Sequence, residues 1–294
     1  MSGNYSRLVK NRKKFLAKAN KALAGRYKWW LLLVLPAWVY AAFIAVQYAV
    51  GLLAGLLNSI GVPLSSLNVV IFNAAASFII YILTLLVVIL VPLYVMKHKT
   101  TLRLLGVDDW PTFLEILISP LAYVAYFLVT SVLVAIAVAL FSLDMTQTQT
   151  LPFSQAMLGT QWQFLLAFIT MVVLAPIAEE LLFRGYLYGK LRKSFSIWLS
   201  VLVTSLAFGL AHLWAGTNKP LQWSVAVDTF SLSLVICAAR EYTGAVWVPM
   251  MTHVIKNGIA FYLLFINPEP ISVSVCTFVG ISLYFIRKRT RITV

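Results

Sequence analysis

The chain of 294 residues is 61% apolar and only 11% charged, with a net charge of +14 and a mean hydropathy of +0.90. A soluble globular protein carries about 25% charged residues, so this composition excludes one and points to an integral membrane protein. The apolar runs are too long and too uncharged for barrel strands, which alternate over roughly ten residues. They fit transmembrane helices of about 20 residues.

In chain order, residues 1–28 form a basic segment in which Leu8, Phe15, Leu16, Ala19 and Leu23 fall near one helical face among lysines. That pattern suggests an interfacial helix on anionic lipid. Residues 29–294 read as one transmembrane domain, all-α, with eight spans: Trp29–Leu57, Val69–Met96, Phe113–Phe141, Trp162 to about Lys190, Phe195–Leu213, Trp223–Ala239, Ala245–Phe265 and Ile271–Ile286. The first is too long for a cleaved signal peptide. Thr146–Thr150 reads as an outside loop, and there is no internal repeat.

Orientation follows from the basic residues. With the N-terminus inside, 21 of the 23 Lys and Arg residues fall on the cytoplasmic side, Arg184 and Arg240 among them, leaving Lys219 outside and Lys256 within a span. An odd number of spans or the opposite orientation would destroy that asymmetry. Both termini are therefore expected in the cytoplasm, in a multi-pass protein of the cell membrane. The positive charge is thus a matter of topology, and no nucleic-acid partner is expected. Cys237 and Cys276 lack the spacing of a disulfide framework or zinc knuckle and read as packing residues.

Ionisable side chains within spans are expensive and usually functional. In or at the edges of the spans lie Glu115, Glu179, Glu180, Arg184, His212, Asp228, His253, Lys256 and Asn257. Glu180 and Arg184 are four apart, acid first, the favourable order for pairing on one helix face. Glu179 lies roughly 140° around the helix from Arg184, which leaves it the carboxylate free for chemistry. His253 and Asn257, also four apart, point to one place. Counted at 1.5 Å per residue, Glu179, His253 and Asn257 sit roughly 14–20 Å from the cytoplasmic ends of their helices and His212 roughly 24 Å. Three helices thus bring polar groups near one level. Asp228 and Lys256 are expected to pair with each other or with a carbonyl, and Glu115 to be interfacial. Phe183, Tyr186 and Tyr188 read as packing and interface residues, and Trp29, Trp30 and Trp110 as an aromatic belt.

A buried carboxylate beside an imidazole can share and deprotonate a water. An imidazole and a carboxamide on one face can donate hydrogen bonds to a developing oxyanion. These are the parts needed to hydrolyse an amide.

Three motifs carry a resemblance to a known family. Glu179-Glu180-Leu181-Leu182-Phe183-Arg184, Phe208-Gly209-Leu210-Ala211-His212 and His253-Val254-Ile255-Lys256-Asn257 resemble the Glu-Glu-x-x-x-Arg, Phe-x-x-x-His and His-x-x-x-Asn signatures of the CPBP intramembrane proteases, the CAAX-prenyl-protease and Abi bacteriocin-processing group. The resemblance covers about Leu166–Asn257, within a core expected at 162–265, and Leu102-Arg103-Leu104-Leu105-Gly106 looks like a stretch often seen before that core. The sixth span departs from the family's glycine-rich pattern, having no Gly and carrying Asp228. The resemblance implies an endopeptidase acting on a membrane-associated protein or peptide. Glu179 and His212 would activate water, and His253 and Asn257 would form the oxyanion hole. Glu180 and Arg184 would brace the site and hold a substrate carboxylate. No cofactor is expected.

Two alternatives remain at this point. Glu179, His212 and His253 offer the two nitrogens and one oxygen of a catalytic zinc set, although no His-Glu-x-x-His motif is present. A non-enzymatic scaffold or immunity protein fits if the polar cluster is inert.

Overall fold

The computed structural model describes residues 28–64, 67–97, 99–143, 151–214 and 220–266. Among these the fold is all-helical, with six helices long and apolar enough to cross a membrane and one shorter apolar helix. In order they are α1 (Leu31–Ser59), α2 (Val69–Met96), the single-turn α3 (Leu102–Leu105), α4 (Phe113–Phe141), α5 (Gln161–Leu191), α6 (Ile197–Ala211), α7 (Trp223–Thr243) and α8 (Trp247–Phe261), whose end continues as a π-helical turn, Tyr262–Ile266. Seven of the expected spans are thus helices. The eighth, nearly all of the basic N-terminal segment and the loop Thr146–Thr150 lie outside the described residues.

The starts of α2 through α6 carry side-chain caps. Asn68 accepts the Val70 N–H, Thr101 that of Leu104 and Ser196 that of Leu199. Thr112 with Glu115, and Thr160 with Gln163, form reciprocal capping boxes that satisfy otherwise orphaned N–H groups. Glu115 stands in the first turn of its span, 3% exposed, its carboxylate accepting from the Thr112 backbone and hydroxyl.

α1, α2 and α4 bury little of their apolar surface in the protein; Leu33, Leu52, Val95, Leu121 and Leu140 all face outward. Outward apolar surface on this scale needs lipid against it. α5 is the opposite. Every residue from Leu182 to Gly189 is buried, wrapped by α1, α2, α3 and α6. α7 packs on α6 and α4, and α8 fills the space between α4, α5 and α7.

α5 is not a uniform α-helix. Two stretches, Ile169–Leu174 and Leu181–Leu187, are π-helical and flank the Glu179-Glu180 pair. Such wide turns inside helices often mark functional sites.

α3 docks on a small-residue face of α5. A β-carbon at Gly189 would lie 2.7 Å from the Leu104 carbonyl oxygen, and one at Gly185 3.2 Å from Leu105. The turn after α3 is closed by Gly106 at φ +77°, a conformation that favours glycine. Its Cα faces Arg240, whose guanidinium would sit 2.6 Å from an added β-carbon. Arg240 donates to the Leu104 and Arg184 carbonyls. Arg240 and Arg184 are both fully buried, so neither is a solvated charge. Their places are set by carbonyl and carboxylate partners inside the bundle.

The glycine-free α7 packs closely by other means. Gly209 of α6 supplies the gap, an added β-carbon there falling 2.9 Å from the Ala226 carbonyl, while Ser231, Ser233 and Thr229 are buried. Small residues let membrane helices approach. Cys237 is buried, 3.9 Å from the Ser233 hydroxyl, as a packing residue; Cys276 lies outside the described residues.

Candidate active site

On α5 the two adjacent carboxylates have opposite surroundings. Glu180 is fully buried. Its Oε1 accepts from Arg184 Nη1 at 2.9 Å and lies 2.8 Å from His253 Nδ1. Glu179 turns instead into a cavity of about 280 Å³, its side chain 19% exposed and its Oε2 3.9 Å from His253 Nε2. The His253 ring therefore stands between the two acids, one nitrogen fixed by Glu180 and the other facing Glu179. The neighbour in sequence holds the imidazole that faces the free carboxylate.

His212 ends α6, and its Nδ1 is 2.9 Å from the Phe208 carbonyl. A carbonyl can only accept, so Nδ1 carries the hydrogen, and the neutral ring keeps its lone pair on Nε2. The Phe208 ring explains why an aromatic stands four residues earlier. It contacts His212 (centroids 4.8 Å) and His253 (5.8 Å, edge-on), and Arg184 lies over its face at 4.2 Å. One buried side chain thereby spaces all three motifs.

On α8, Asn257 donates from Nδ2 to the Met171 carbonyl at 3.0 Å, within the first π-helical stretch, leaving one amide hydrogen for another acceptor. Lys256 pairs with Asp228 of α7 at 3.1 Å, as anticipated, and Tyr126 of α4 donates to the same Asp228.

Glu179, His212, His253 and Asn257 all line the one cavity. Glu180 and Arg184 do not; they sit behind the wall, with Arg184 fully buried. Neither faces the cavity to hold a substrate carboxylate. Tyr81 of α2 also lines the cavity and is within hydrogen-bonding reach of Glu179. Sequence reasoning missed it, because a lone Tyr in an apolar run carries no signal of a partner 98 residues away. The Met171 carbonyl was equally invisible. Phe183, Tyr186 and Tyr188 are buried packing residues, and Tyr188 also donates to Glu241, which is paired with Arg192. Among the described residues, no three His, Cys, Asp or Glu side chains converge as a metal-holding group.

Residues 161–259 match the family model of the type II CAAX prenyl endopeptidases, Rce1-like. The resemblance carried by the three motifs thus holds over the helices that bear Glu179, His212, His253 and Asn257. An uncharacterized 24.3 kDa protein of Escherichia coli is 31% identical over 91 residues, 30% of this chain and 40% of that protein. A Bacillus subtilis (strain 168) protein named "Putative membrane peptidase YdiL" is 27% identical over 118 residues, 40% of this chain and 44% of that protein. The match thus spans less than half the length of these relatives. No solved structure matches.

Proposed function

We propose that this helical core is an intramembrane endopeptidase, hydrolysing a peptide bond in a membrane-associated protein or peptide by a water activated at Glu179. The observation that carries the reading is the split between the two carboxylates: Glu180 is tied to Arg184 and His253, while Glu179 faces a cavity shared with His212, His253 and Asn257. The family match and the similarity to a named membrane peptidase support the reaction class.

In this reading Glu179 takes the proton of the attacking water and delivers it to the leaving nitrogen, while His212 accepts a hydrogen bond from that water at its Nε2 lone pair. The developing oxyanion is held by the second amide hydrogen of Asn257 and by His253 as the imidazolium, its Nδ1–H given to Glu180 and its Nε2–H to the oxyanion. Glu180 and Arg184 position His253 without touching substrate. These roles need no metal, so the proposed mechanism is water-based.

The test uses purified full-length protein in lipid nanodiscs with fluorogenic prenylated and unprenylated peptides. Glu179→Gln is expected to abolish cleavage while leaving the protein folded. Normal turnover by this variant would overturn the assignment. The same preparation, assayed for bound metals and treated with a strong chelator, decides between mechanisms. Stoichiometric zinc, with activity lost on chelation and restored by zinc, would make Glu179, His212 and His253 ligands instead.

A further inference from the structure

The cavity wall carries a cation that the proposed hydrolysis does not use. Lys256 is the one Lys or Arg among the described residues lining it. It stands on α8 between His253 and Asn257 in sequence, its side chain 16% exposed. It lines the same cavity as Glu179 and His212. A lysine at membrane depth is costly, and Asp228 neutralises it at 3.1 Å with a side chain that is itself 28% exposed.

Two features distinguish this pair from the sealed Glu180–Arg184 pair. Its lysine lines the cavity and both its members are partly exposed, whereas both members of the other pair are fully buried. Asp228 also has a second partner, the Tyr126 hydroxyl, so it stays hydrogen-bonded if the ammonium swings away. A long, flexible lysine can make that exchange. The pair is built to be traded.

Resting on the endopeptidase reading, we propose that Lys256 is a specificity residue: it leaves Asp228 to bind a carboxylate of the peptide substrate, placing the scissile bond between Glu179 and Asn257. The recognised group is an anionic carboxylate close to the cleaved bond, from a peptide's C-terminus or an acidic side group. Arg184, sealed behind the cavity wall, cannot serve this purpose.

The test measures binding to the full-length protein in nanodiscs by displacement of a fluorescent copy of the probe, a peptide ending Cys-Val-Val-Met. Each probe is made with S-farnesyl and with S-methyl cysteine, in three forms: free C-terminal acid, C-terminal amide, and amide with Glu as the last residue. Wild type is expected to bind one carboxylate form about tenfold more tightly than the plain amide, as one charge-assisted contact provides. Preference for the free acid assigns the carboxylate to a C-terminus; preference for the Glu amide assigns it to a side group. Lys256→Met should reduce that ratio to about one without changing amide affinity, and Lys256→Arg should restore part of it. Asp228→Asn should raise the ratio, since it frees the lysine, whereas a merely structural pair would show no gain.

Because each ratio is read within one protein sample, partial unfolding does not mimic the result. A ratio near one in wild type, or a ratio that survives Lys256→Met, overturns the proposal. A wild-type protein that selects the carboxylate yet leaves every probe intact would remove the protease reading and keep this one.

Discussion

At the scale of single residues, Glu179 and Glu180 differ because one helical step of about 100° sends one to a cavity and the other to a buried cation. Removing a partner from a buried pair strands the remaining charge, at about 3–5 kcal/mol. Arg184→Met is therefore expected to lower thermal stability strongly, and with it the ordering of His253, since Glu180 holds both groups. Glu179→Gln should leave stability near wild type. Differential scanning fluorimetry in detergent checks this; equal losses for the two variants would refute the division. Asn257→Ala is expected to reduce kcat about 10²–10³-fold, the usual cost of one oxyanion donor, with a smaller effect on KM. Stopped assays at saturating peptide read that split, and an effect confined to KM would move Asn257 from catalysis to binding.

At the scale of elements, α3 matters beyond its four residues. It is clamped between the glycine face of α5 and the guanidinium of Arg240 on α7, and the Gly106 carbonyl accepts the Val246 N–H at the start of α8. Three site-bearing helices thus meet at one turn. Gly189→Ala forces a β-carbon against the Leu104 carbonyl, which is backbone and cannot rotate away. The expected penalty is about 1–3 kcal/mol, read as a lowered Tm. Gly51→Ala is the matched control: nothing lies within 4 Å of its β-carbon position, and alanine is the better helix former. A drop in Tm for both, or for neither, would show that α3 docking is not what Gly189 provides.

At the scale of the whole molecule, the helices alternate. Trp29, Trp110, Trp198 and Trp247 fall at one end of the bundle, where Trp110 stacks on Trp247 and Trp29 packs on Phe195. Trp162 and Trp223 begin helices at the other end. Lys97, Lys99, Arg103, Lys190 and Lys193 belong to the first end, which the positive-inside rule assigns to the cytoplasm. In a cysteine-free background, a cysteine replacing Asp108 is expected to label from the cytoplasmic side, and one replacing Ser142, at the far end of the 29-residue α4, from the opposite side. The reverse pattern would invert the proposed orientation.

What the sequence determined by itself is what the bilayer and helical periodicity impose locally. Long apolar runs must be helices, because nothing else satisfies the backbone in lipid, and seven of the eight expected spans appear at nearly the expected places. The pairing of Glu180 with Arg184 was legible for the same reason, being four residues apart on one helix. Three polar motifs in an apolar sequence were legible as a candidate site because buried polarity is expensive there. The tertiary structure decided the rest, through contacts that no local period encodes. His253 reaches Glu180 across 73 residues and Arg240 reaches Leu104 across 136, and Tyr81 meets Glu179 only because α2 packs against α5. It also decided which charges are topological and which are structural. Lys190 lies at the end that the positive-inside rule assigns to the cytoplasm, whereas Arg184 and Arg240 are buried in the core. A count of charges along the sequence cannot separate them, since burial depends on which helix stands opposite.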